Sequence, residues 1–433
     1  MSLLFLVLSL AFSAVVLFRS GRLLVGGSRS FVLVAHVGFG VFFVLPVLVD
    51  LVAGPPRLGR FPTMQDAFRS TDVTIVYALF LVYVQTVFYF FTRTRRAGDA
   101  GSDPLVVNRI FQVACWIILF LPVMLALVGP DPSTYLKYSP FARGLAANED
   151  LARFHVYVSR SVQFALIAGG VLLLTAKKAQ LLRVVIFVSV GMGAACWMNG
   201  KRNAVAFALV IIVFSLYRRG VLTGKRLVGA VGLVTILFFI FSAYYQEDLR
   251  FSTATSENRS ISDIGDERRI DFARDAVMRL SIYSALDDDI PSAISYPGQS
   301  VSLLVSSVLG SGSQKSYPNR VTSLAFASES LGRGGVTTSV YDEMLANFGF
   351  LGLAFAPFIV VAIAVFGGTS RSELGRVLTL FAVIAVQLVY LAAWLPVFIV
   401  WFVVIVATCG TFDGHRGPVN GMQTSGITRG GPM

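Results

Sequence analysis

The segment KSYPNRVTSLAFASESLGRGGVTTSVYDEMLANFGFLGL, residues 315–353, runs from a polar loop straight into an apolar helix. Lys315, Arg320, Arg333, the Gly334–Gly335 pair, a Thr/Ser cluster and the acids Asp342 and Glu343 all come before the first long apolar run. The rest of the chain avoids charge. Of its 433 residues, 55% are hydrophobic and 14% charged, and the mean hydropathy is +0.73, far from the balance of a soluble domain. Several apolar runs approach the roughly 20 residues that cross a hydrocarbon core of about 30 Å. The chain therefore reads as an all-α polytopic transmembrane bundle with one large polar insertion.

Working outward from that segment, about eleven spans are expected. The first five are Leu3 to Phe18, Phe31 to Ala53, Val73 to Phe91, Ile110 to Val128 and Val156 to Ala176. Val184 to Tyr217 would be about 51 Å long as one straight helix, too long for a single crossing. The polar break Asn199–Gly200–Lys201–Arg202–Asn203 divides it into a hairpin. An eighth span covers Leu227 to Tyr244, and a ninth runs from near Met344 to near Phe366. Val377 to Cys409 is again too long, and Trp394–Leu395–Pro396 is the expected turn, since proline disfavours helix in the residue before it. The organisation is an N-terminal bundle over residues 1–245, an insertion over 246–343, C-terminal spans over 344–409 and a Gly-rich disordered tail over 410–433.

Orientation follows from the basic residues. Arg19/Arg22/Arg29, Arg93/Arg95/Arg96, Lys177/Lys178/Arg183, Arg218/Arg219/Lys225/Arg226 and Arg371/Arg376 occupy alternate loops. The positive-inside rule places that set in the cytoplasm, and the insertion and the Gly200–Lys201–Arg202 turn outside. The first span, which has no basic residue before it, then has its N-terminus outside rather than being a signal peptide. Within the insertion, Ile270, Ala273, Val277 and Leu280 recur at helical spacing opposite a charged face. This is an amphipathic helix lying on the membrane or capping the bundle. Val301 to Leu309 is apolar but too short to span, a re-entrant or interfacial segment.

The net charge of +12 sits in short juxtamembrane clusters, the pattern of topology signals and anionic-lipid contact rather than of nucleic-acid binding. Cys115, Cys196 and Cys409 lie within apolar runs and read as packing residues. No Walker loop or dinucleotide fingerprint is present, and His36, His155 and His415 lack metal-site spacing, so neither metal nor cofactor is expected.

What remains is a set of outward-facing basic residues and one acidic pair. Lys201 and Arg202 are either a snorkelling hairpin tip or a site for an anionic group, to which a guanidinium offers two parallel hydrogen bonds. Arg320 and Arg333, set among turn-forming Pro and Gly residues, are either solvated loop charges or part of the same pyrophosphate clamp. Asp342 and Glu343 follow Thr337–Thr338–Ser339. They either cap the ninth helix or supply a general base that takes a proton from a sugar hydroxyl. Asn347 falls one helical turn from Glu343, on its face, and neighbouring Tyr341 is a positioning candidate. His155, just outside the fifth span, and Arg160, one turn into it, are weaker candidates for catalysis and anion binding.

These residues carry a resemblance. The Gly200–Lys201–Arg202 turn between two mid-chain helices, the large late loop, and Glu343 followed by Asn347–Phe348–Gly349 and Gly352 are similar to bacterial oligosaccharide repeat-unit polymerases, the Wzy-type O-antigen and capsule polymerases. O-antigen ligases share the layout. The resemblance implies a multi-pass protein of the plasma (inner) membrane that acts as a glycosyltransferase without metal or cofactor. It would transfer a growing glycan from undecaprenyl pyrophosphate to a hydroxyl of an incoming lipid-linked unit. Arg202 and the loop arginines would hold the pyrophosphate, and Glu343 would activate the acceptor. The implied partners are undecaprenyl-pyrophosphate-linked oligosaccharides, membrane lipids, a chain-length regulator and a flippase. A polysaccharide ligase, and a lipid-linked oligosaccharide flippase or other transporter, are the alternatives.

Overall fold

The computed structural model describes residues 2–54, 62–94, 109–137, 148–244, 274–286, 321, 324, 338–370, 372–389 and 391–409. The secondary structure among them is helical. α1 (Ser2–Val25) is followed by α2 (Phe31–Phe39), which passes through a π-helical turn at Gly40–Val44 into α3 (Leu45–Ala53). Then come α4 (Pro62–Arg69), α5 (Thr71–Thr94), α6 (Arg109–Val128) and α7 (Glu149–Thr175). α8 (Leu181–Asn199), α9 (Arg202–Arg218) and α10 (Lys225–Tyr244) complete the N-terminal part. α11 (Arg274–Leu286) lies within the insertion, and α12 (Val340–Gly368), α13 (Glu373–Leu388) and α14 (Leu391–Cys409) close the chain.

Among the described residues, seven helical stretches are long and apolar enough to cross a membrane: the first six expected spans and α12. They make this a membrane-embedded helical protein. The stretches expected as the remaining four spans are helical too, as α9, α10, α13 and α14. The hairpin break falls where the sequence places it: Gly200 ends α8 with φ 68° and Lys201 is extended. A left-handed residue at that position is the common glycine stop of a helix.

Two boundaries differ from expectation. The last long apolar run breaks at Val389, which is extended (φ −141°, ψ 145°), and Pro396 lies inside α14. Pro396 is the sixth residue of α14, so it gives up one backbone hydrogen bond, that to the Ala392 carbonyl, and the helix continues through it. α7 begins at Glu149, not Val156, capped by Asn148 Oδ1, which accepts from Leu151 N at 3.1 Å. The polar start of α7 is helical because that cap and its acids suit a helix N-terminus.

α13 is the hub. Residues 375–387 are buried on every side, and the helix packs against α2, α7, α9, α12 and α14. Its start meets the far ends of two neighbours, with Val377 against Gly170 of α7 and Thr379 against Gly367 of α12. α7 and α12 therefore run in the same direction. Tyr217 Oη, near the end of α9, meets the Leu24 and Ser28 carbonyls at 2.8 Å, and Arg219 Nη1 donates to Leu173 O at 2.8 Å. Arg19 lies over the Tyr89 ring, 4.6 Å from its centre. The described residues of the basic loops thus gather at one end of the bundle. The start of α7, the α8–α9 turn, α11 and the start of α12 gather at the other.

Candidate functional site

α12 is not one rod. Gly349 has φ 61° and ψ −154°, a backbone conformation open in practice only to glycine. Residues 344 and 352 of an unbroken helix lie about 12 Å apart along the axis. Here a Cβ at Gly352 would run into the Met344 carbonyl oxygen. The first turns of α12, carrying Tyr341, Asp342, Glu343 and Asn347, are therefore bent sharply away from the apolar length beyond Gly349. The Asn–Phe–Gly sequence marks that bend.

Asp342 and Glu343 have separate surroundings. Asp342 closes a capping box: Ser339 N and Ser339 Oγ donate to Asp342 Oδ2 at 2.7 and 2.6 Å, and Asp342 N donates back to Ser339 Oγ at 3.5 Å. Glu343 stands outside that box, 4% exposed, with Thr338 Oγ1 donating to its Oε1 at 3.4 Å. Asn347 Nδ2 donates to the Glu343 carbonyl oxygen at 2.6 Å, tying side chain and backbone across the turn. Tyr341 is fully buried, its ring edge-on to Phe39, Phe43 and Phe80. The π-helical turn at Gly40–Val44 sets up this arrangement. It places Phe43 beside Tyr341, and Tyr77 Oη donates to the Phe43 carbonyl at 2.8 Å.

The charged face of α11 completes the site. Residues 274–282 are all buried, against α4, α5 and α12. This is a bundle-capping element and not a helix lying on a membrane surface. Its charges can be buried because they have company. Arg279 is 3% exposed, its guanidinium 4.6 Å from the Tyr77 ring centre and 5.0 Å from that of Phe68, with Asp275 4.0 Å away and the Thr74 hydroxyl at 3.4 Å. Arg274 acts electrostatically on Asp342, and the charges of Asp50, Asp275, Arg279 and Asp342 all reach Tyr77. An isolated buried charge costs several kcal/mol, so mutual compensation is what makes such a cluster tenable.

Of the residues picked out in the sequence, Tyr341, Asp342, Glu343 and Asn347 come together here. Arg320, Arg333 and the side chain of Arg202 lie outside the described residues, as do Ile270, Ala273 and the 301–309 segment. Lys201 is exposed in the α8–α9 turn. His155 is buried within α7, Nδ1 3.4 Å from Tyr135 Oη, in a packing cluster separate from that of Tyr341. It is not a residue flanking the span. Arg160 is exposed on the same helix. Asp50, Tyr77, Arg274, Asp275 and Arg279 were not among the sequence candidates. Their signal was the Arg274–Asp275–Arg279 spacing, which reads equally well as a solvated helix face.

Among the described residues no group of His, Cys, Asp and Glu side chains is placed to hold a metal. Comparison with family models, curated proteins and solved structures gives no match for this chain.

Proposed function

We propose that the protein is a membrane glycosyltransferase that polymerises undecaprenyl-pyrophosphate-linked oligosaccharide repeat units on the extracytoplasmic face. The observation that carries this reading is Glu343: a buried carboxylate that takes no part in the capping box, on the helix start that packs against α11, at the end of the bundle away from the basic loops. By the positive-inside rule that end faces outward. In the proposed reaction Glu343 takes the proton of an acceptor sugar hydroxyl as that oxygen attacks the anomeric carbon of the donor. The bond from that carbon to the pyrophosphate oxygen breaks, and undecaprenyl pyrophosphate leaves with the electron pair. Arg202, Arg320 and Arg333 hold the pyrophosphate, with Lys201 and Arg160 at its margin. Asn347 and Tyr341 hold the segment that presents Glu343. Since Glu343 is 4% exposed, the acceptor reaches it only when the segments around the start of α12 part.

The test is carried out in the source cells, with the native gene deleted and restored as wild type or as Glu343→Gln, Arg202→Ala or Arg333→Ala. The proposal expects surface glycan of single units and lipid-linked precursor accumulating on the outer leaflet. Long chains in all three variants contradict it. Precursor confined to the cytoplasmic leaflet identifies a flippase instead.

A further inference from the structure

We infer that the turn joining α1 to α2 is a binding site for the phosphate headgroup of an anionic phospholipid, held by Arg19 and Arg22. This site lies at the basic end of the bundle, opposite the acidic cluster, and does not depend on the proposed transferase activity. A cavity of about 430 Å³ opens there, lined by Arg19, Arg22, Leu23, Gly26 and Ser28.

The turn is rigidly built. Ser28 N donates to Leu23 O and Gly27 N to Leu24 O, both at 3.0 Å, with Gly27 at φ 96°. This pattern satisfies the last carbonyls of α1. Tyr217 Oη then ties the turn to α9 through the Leu24 and Ser28 carbonyls. The cavity is therefore formed before any ligand arrives, which lowers the ordering cost of binding.

Two guanidinium groups reach this cavity, and among the described residues neither has a carboxylate within ion-pairing distance. Arg19 stands over the Tyr89 ring with its guanidinium carbon 4.6 Å from the ring centre, a cation–π contact that consumes none of its N–H donors, which can then meet a phosphate oxygen. Arg22 is exposed, one helical turn further on.

The choice of a lipid over a free anion comes from the wall beside the arginines. Val15, Phe18 and Leu23 on α1 are 71%, 75% and 40% exposed. In a membrane-embedded helix such a face meets acyl chains. A phosphate bound at Arg19 and Arg22 would thus have apolar surface running away from it along α1, as a phosphodiester carrying two acyl tails requires. Basic pockets at helix ends on the cytoplasmic side commonly take anionic headgroups.

The experiment uses the full-length protein, purified in detergent, and counts bound lipid by native mass spectrometry against phosphatidylglycerol, phosphatidylcholine and inorganic phosphate. We expect phosphatidylglycerol to be retained over phosphatidylcholine. Arg19→Ala with Arg22→Ala should weaken that retention roughly tenfold or more, the loss of two charge-assisted contacts. Lys177→Ala with Lys178→Ala removes the same charge from exposed residues at the same end and should leave retention within about twofold. If the double arginine variant is not recovered folded, Arg22→Ala alone carries the test, since its exposed side chain supports no packing. Equal losses in the arginine and lysine variants would overturn the site in favour of a diffuse basic field. Displacement of the lipid by millimolar phosphate would overturn the lipid in favour of a small-anion site.

Discussion

Ser339 and Asp342 hold each other across the first turn of α12, Ser339 donating from both its backbone N and its Oγ to a single carboxylate oxygen of Asp342. The neighbouring acid, Glu343, takes no part in that box. Two adjacent carboxylates that read alike in the sequence thus have different tasks, one holding the helix start and the other free of that duty.

The first prediction separates them. Ser339→Ala should lower stability by about 1 kcal/mol, the usual cost of losing an N-cap. Asp342→Asn should do the same or more, because it also disturbs the compensation with Arg274. Glu343→Gln should shift the melting temperature less than either, while abolishing polymer. Thermal melts of the purified variants, set beside glycan length in cells, check both halves.

The bend in α12 makes a second prediction. Gly349→Ala places a side chain at φ 61°, ψ −154° and should cost roughly 1–3 kcal/mol. Gly352→Ala drives a methyl into the Met344 carbonyl and should cost at least as much. Phe348→Leu, at the exposed position just before the bend, should be tolerated. Yield and melting temperature in detergent report the order. Equal stability of all three would mean that α12 is straight.

Much of this architecture was legible in the sequence. Gly200 within a run too long for one crossing located the α8–α9 break, and the alternation of basic loops matches the gathering of their described residues at one end. Pro396 does not mark the break because one lost backbone hydrogen bond does not end an apolar helix, whereas the stop itself, at Val389, has no local signature. The polar stretch before His155 reads as a loop in the sequence, which puts that residue outside the span. The Asn148 cap and the acids after it are in fact a helix start. The charged face of α11 was visible as a pattern but not as a buried one. Periodicity reports which residues share a face, and only the neighbours decide whether that face meets water or other charges.

Those neighbours yield the third prediction. Arg279→Ala leaves Asp275 buried without that arginine and should cost about 3–5 kcal/mol. Arg279→Met combined with Asp275→Asn removes the pair together and should cost clearly less than the sum of the single changes. A double-mutant cycle by thermal or denaturant unfolding measures the difference. Additive losses would show that the two residues do not compensate each other.

Orientation is tested independently of chemistry. In a background lacking the native cysteines, Lys201→Cys and Lys178→Cys place thiols at exposed positions on opposite ends of the bundle. A membrane-impermeant maleimide added to intact cells or spheroplasts should label the first and leave the second untouched until the membrane is opened. The reverse pattern would put the acidic cluster on the cytoplasmic side.

The most direct test of the central proposal is turnover by the purified protein in liposomes. The substrate is lipid-linked repeat unit extracted from the source cells, and the readout is release of undecaprenyl pyrophosphate together with glycan length. The wild-type protein should release one undecaprenyl pyrophosphate for each glycosidic bond formed. Glu343→Gln, folded and stable, should form neither product. Undiminished chain growth by Glu343→Gln would contradict the role given to that carboxylate, and no turnover by the wild type would contradict the transferase itself.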